Sequence, residues 1–160
     1  MKETATRPQA VALLLAAAMC LLPFLIPYHQ LPVLSFYPEW LAAALGLSAA
    51  LVVLAWRGPA PVSVPAPAVG LIAFALFLLL RMADPGLAYP QIGLLAAFYV
   101  LFAALMMWLG AQLASSLGAE RVTLVLAVCL LAGAGANALA GAIQFYGRPA
   151  LLDDVVAELH

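Results

Sequence analysis

The polar chemistry of this chain gathers in two places. His29, Ser35, Tyr37 and Glu39 fall within eleven residues, in the stretch YHQLPVLSFYPEW from Tyr28 to Trp40. An imidazole, two hydroxyls and a carboxylate are hydrogen-bonding groups that make this loop the first component of any site, and Pro32 and Pro38 stiffen the path between them. Arg81 and Arg148 form the second group. A guanidinium presents a bidentate fork to phosphate oxygens, so the two arginines are candidate diphosphate contacts. Each residue also has a plainer reading. Arginines at helix ends snorkel to the interface, His29 beside Tyr28 suits an interfacial residue, and Glu39 suits a cap on the helix that follows. Spacing alone leaves both readings open.

Several chemistries have no signature here. The chain has no HExxH, no glycine-rich phosphate loop and no nucleophile elbow. Cys20 and Cys129 lie in different apolar runs without CxxC or Cys/His ligand spacing, so they read as small packing residues and no metal site is expected. No cofactor is called for. Six basic and seven acidic residues give a net charge of −1, with no basic patch for nucleic acid. No Asp, Glu or Lys occupies the centre of an apolar run, which counts against a proton pump or ion-coupled transporter.

The elements that must position these residues follow from composition. Apolar residues make up 68% of the chain and charged residues 8%, against about 45–50% and about 25% in soluble domains. A chain of 160 residues cannot hide that much apolar surface, so lipid serves as part of its solvent. The sequence predicts an all-α, polytopic membrane helix bundle of about five transmembrane helices in one domain. They run over about 9–26, 39–56, 67–82, 91–114 and 120–146, with an external loop at 27–38 and an external tail at 147–160.

Local signals set those limits. Lys2 and Arg7 precede the first apolar run as in a signal peptide. The run continues through Leu25 and Ile26 without a small-x-small site, and Met19 before Cys20 spoils a lipoprotein-type site, so it reads as a retained helix. Trp40 and Trp56 bracket the second helix as interfacial anchors. Pro59, Pro61, Pro65 and Pro67 predict an extended connector after Arg57; a PxxP ligand is the weaker reading. Asp84-Pro85-Gly86 signals a turn, and Ser115, Ser116 and Gly118 loosen the chain before the fifth helix.

Gly133, Asn137 and Gly141 recur at i, i+4, i+8 on that fifth helix. Small residues on one face permit close helix approach and Asn137 can hydrogen-bond across it, which makes this helix the expected packing centre. Basic residues orient the chain. With the N-terminus cytoplasmic, Lys2, Arg7, Arg57 and Arg121 lie inside, and Arg81 and Arg148 outside. The Tyr28–Trp40 loop and the C-terminal tail then face outward.

The loop PYHQLPVLSFYPEWLAAALGL resembles the first external loop of bacterial PglL-type protein O-oligosaccharyltransferases, which belong with the Wzy/WaaL O-antigen ligases and polymerases. The matching positions are His29, Pro32, Phe36, Tyr37, Glu39 and Trp40. Ala132 to Gly147 is similar to the family's fifth helix, which closes on the pattern of Gln144, Phe145, Tyr146 and Gly147. The similarity runs collinearly over the whole chain.

The resemblance implies a multi-pass protein of the bacterial inner membrane, its outer face periplasmic. It would handle a glycan on undecaprenyl diphosphate, which full-length relatives transfer to a protein hydroxyl or a lipid core. It makes His29, Tyr37, Glu39 and Trp40 substrate-binding residues. The family's large periplasmic loop, with its catalytic histidine and arginines, and its Gly-Asn…Gln-x-Asn segment have no counterpart before His160. No catalytic residue is therefore assigned, and glycosyltransferase activity is expected only with the remaining half of a larger ligase. The competing expectation is a non-catalytic scaffold or assembly subunit, or a homo-oligomer, that packs through the small-residue face of the fifth helix.

Overall fold

A computed structural model describes residues 6–25, 36–57, 63–82 and 90–146. Within them lie five α-helices: α1 (Thr6–Leu21), α2 (Phe36–Trp56), α3 (Ala66–Arg81), α4 (Pro90–Leu117) and α5 (Ala119–Tyr146). A short 3-10 turn, Leu22–Leu25, continues α1. The external loop at 27–35, Pro59 and Pro61 of the connector, the Asp84-Pro85-Gly86 turn and the tail at 147–160 lie outside the described residues.

The chain is an all-α membrane helix bundle. Four helical stretches are long and apolar enough to cross a bilayer: Arg7–Leu25, Tyr37–Trp56, Pro90–Leu117 and Ala119–Ile143. Among the described residues no polar or charged side chain is buried. Large apolar ones face outward on every helix, including Leu80 at 75% exposure and Leu131 at 71%. This inverts the soluble pattern, and only lipid covers such a surface without penalty.

Helix α3 has 16 residues, about 24 Å at 1.5 Å rise, against a hydrocarbon layer of about 30 Å. Its flanks extend it. Ser63 O accepts from Gln112 Nε2 at 3.2 Å, and at the other end a Cβ on Gly93 would lie 3.1 Å from Met82 Cγ. Gly93 and Gln112 are separated by about 28 Å of α4. Pro65 caps α3 at φ −65° and ψ 143°, and Pro67 falls in its first turn, where a missing N–H costs nothing.

Three boundaries differ from the sequence expectation, each for a local reason. The α geometry of the first helix stops at Leu21, because Pro23 has no N–H for the next turn. Helix α2 starts at Phe36, since Pro38 falls in its first turn and is tolerated there. Helix α4 runs through Ser115 and Ser116, whose hydroxyls donate back to Gln112 O at 2.8 and 3.0 Å. It ends only at Gly118, which takes φ +91° and joins α4 to α5 as a single residue. That conformation favours glycine.

Helices α1 and α2 pack as one antiparallel pair, and α3 and α4 as another. Helix α5 lies along α1 and α4, while α2 and α3 do not touch. The core sits at the end where α1 begins and α2 finishes. Ala12, Leu13 and Ala16 meet Ala49 and Ala50 of α2, Trp108, Leu109 and Leu113 of α4, and Val122 of α5. The packing centre is thus α4, not α5 as the Gly/Asn repeat suggested. Alanine makes the close approaches. Ala68 and Ala75 are buried on α3, which packs on α4 alone among the described helices. Ala97 and Ala104, also seven apart, are buried on α4, and an antiparallel register pairs 68 with 104 and 75 with 97.

Candidate functional site

The opposite end of the bundle is more open, and Glu39 marks it. Glu39 stands in the first turn of α2, where the helix N-terminus favours an anion. Tyr99 stands in the third turn of α4, sixty residues away in sequence, and its hydroxyl donates to Glu39 Oε2. The pair joins two helices that meet only lightly along the rest of their length. Nearby, Gly46 fits between Phe102 and Met19. A Cβ there would lie 2.8 Å from Phe102 Cζ and 3.0 Å from Met19 Sδ.

The sequence candidates separate in space. Tyr37 and Trp40 flank Glu39 on α2 and are 61% and 62% exposed. Arg81 is exposed in the last turn of α3. Its neighbour Met82 meets α4 at Gly93, six residues before Tyr99, or about 9 Å along the axis. Arg81 therefore stands on a different helix from Glu39, one that does not pack on α2. His29 and Arg148 lie outside the described residues.

The fifth-helix triplet divides as well. Gly133 is buried against the end of α1, where an added Cβ would lie 3.0 Å from Phe24 Cδ2, 3.2 Å from Leu21 O and 3.3 Å from Cys20 O. Asn137 and Gly141 are exposed, and nothing lies within 4 Å of a Cβ built on Gly141. One face thus serves two purposes: its first third packs inside the chain and the rest is open.

Sequence reasoning did not find Tyr99. Tyr99 lies within a long apolar run, and no local pattern links position 99 to position 39. Nor did it find Trp108, whose indole Nε1 is buried without a hydrogen-bond partner among the described residues, as is Gln9 Oε1. Cys20 and Cys129 are free and half-buried. Among the described residues no cluster of three His, Cys, Asp or Glu could hold a metal.

The site's chemistry is that of a binding surface. An exposed carboxylate held by one phenol accepts hydrogen bonds and attracts cationic groups. Compared with family models, with curated proteins and with solved structures, the chain gives no match.

Proposed function

We propose that this chain is the membrane module of a bacterial glycan-transfer system of the O-oligosaccharyltransferase type. It seats an undecaprenyl-diphosphate-linked glycan at its Glu39 end, and transfer proper belongs to other parts of that system. The chain resides in the inner membrane, with the Glu39 end periplasmic and Arg7, Arg57 and Arg121 on the cytoplasmic side. The observation that carries the reading is the Glu39–Tyr99 hydrogen bond. It holds the carboxylate of the loop motif against a second helix, which supports a built site at this end of the bundle. The resemblance of the Tyr28–Trp40 stretch supplies the ligand class. Arg81, exposed in the last turn of α3, is the candidate diphosphate contact.

The test is lipid retention by the purified full chain, read by native mass spectrometry. Undecaprenyl-diphosphate disaccharide should be held more strongly than undecaprenyl diphosphate, and Glu39→Gln should erase that difference. Equal retention of the two lipids by the unmodified chain would sink the reading.

A second reading is favoured by the exposure of Asn137 and Gly141. Here the open part of α5 docks a neighbouring membrane helix, from a second copy or from the remainder of a larger ligase, without any glycan role. Gly141→Leu should then abolish association, because a bulky side chain blocks close approach. Retained association would remove this reading. Gly133→Leu is a poor test, since Gly133 packs inside the chain.

A further inference from the structure

We propose that the Glu39–Tyr99 pair seats the ammonium group of an ethanolamine phospholipid from the surrounding bilayer. The first argument is charge. Glu39 is exposed, and Tyr99, a neutral donor, occupies Oε2. A phenol satisfies one lone pair and leaves the negative charge in place, so the remaining oxygen takes a cationic donor. Among the described residues no ion pair to Glu39 is seen, and Arg81 stands on α3, which does not pack on α2.

The second argument is position. Glu39 and Trp56 are separated by seventeen residues of helix, about 26 Å, so with Trp56 at one interface Glu39 stands at the other, among head groups. The third is shape. Trp40, the residue after Glu39 on α2, is 62% exposed, and an aromatic face near a carboxylate favours an organic ammonium over a small hydrated cation. Below them Leu47 and Leu51 present an exposed apolar strip along α2, which suits acyl chains and selects a lipid over a soluble amine. A primary ammonium donates hydrogen bonds to the carboxylate, whereas a choline group cannot.

This inference is independent of the glycan reading, although both ligands would compete for Glu39. The experiment uses the purified full chain with phosphatidylethanolamine, its N,N-dimethyl derivative, phosphatidylcholine and phosphatidylglycerol, all with identical acyl chains. No polyprenyl lipid is present, so its outcome and that of the glycan test can differ. Retention by native mass spectrometry should fall along the methylation series. Phosphatidylethanolamine should exceed phosphatidylglycerol about fivefold, the scale of one exposed ion pair with aromatic support. Glu39→Gln should bring the two to parity, while Tyr99→Phe, which leaves the charge in place, should keep the preference. Equal retention of all four lipids by the unmodified chain would overturn the proposal, with no variant needed. An ethanolamine preference that survives Glu39→Gln would overturn it too.

Discussion

Replacing Gly133 and Gly141 separately by alanine tests where α5 meets the rest of the chain. Glycine to alanine within a helix stabilises by about 0.8–1.0 kcal/mol through propensity, and that gain is common to both sites. At Gly141 nothing lies within 4 Å of the new methyl, so the gain should appear undiminished. At Gly133 the methyl would meet Phe24 Cδ2 at 3.0 Å and two backbone carbonyl oxygens at 3.2 and 3.3 Å. The ring can turn aside; the carbonyls belong to the end of α1 and move only if the helices separate. Overpacking of this kind costs about 1–3 kcal/mol. Gly141→Ala should therefore be more stable than Gly133→Ala by about 1–3 kcal/mol. At about 2–4 °C per kcal/mol for a chain of this size, their melting temperatures should differ by roughly 2–12 °C. Thermal unfolding of the purified chain in one detergent, followed by intrinsic tryptophan fluorescence, measures the difference directly. If the two variants melt together, α5 does not pass the end of α1 at this distance, and the packing described for Gly133 is wrong.

Three further outcomes follow from the fold. Trp108→Phe removes a buried N–H that lacks a partner among the described residues, a group that costs about 1–3 kcal/mol; thermal unfolding should show little loss or a gain, whereas Trp108→Ala should lose about 3–5 kcal/mol by opening a cavity in the core. Gly118→Ala should destabilise by about 1–2 kcal/mol through φ +91° alone, because no neighbour lies within 4 Å of its Cβ; an unchanged melting temperature would refute the one-residue joint. Single cysteines placed at Ser63 and Gly118, in a chain carrying Cys20→Ala and Cys129→Ala, should react with an impermeant maleimide from the same side of sealed vesicles. Cysteines at Tyr37 and Met82 should react from the other side, and mixed labelling within either set would break the proposed helix order.

Much of the site's separation was hidden from local reading. Glu39, Tyr37 and Trp40 were legible because polar and aromatic residues between apolar runs mark an interface. Tyr99 was not, because a tyrosine in an apolar run looks the same whether it faces lipid or a carboxylate sixty residues away. Arg81 drew a phosphate reading from its type, yet its height and its helix are properties of packing. The i, i+4, i+8 repeat on α5 placed Gly133, Asn137 and Gly141 on one face, yet Gly133 is buried against α1 while Asn137 and Gly141 are exposed. Alanines seven apart on α3 and on α4 are buried as well, unremarked in a sequence where alanine is everywhere.

Composition by itself determined that this protein is a bundle of apolar helices bathed in lipid. Hydrocarbon cannot satisfy an open backbone, so long apolar runs have one structural solution. Proline and glycine fixed the helix limits to within a turn. Which helices touch, and on which face, was decided by the tertiary structure alone. In lipid every helix is apolar on all sides, so hydrophobic periodicity no longer distinguishes the packed face from the exposed one. The choice falls to shape: where a glycine admits a carbonyl, where alanines let two helices close, and where one phenol reaches one carboxylate.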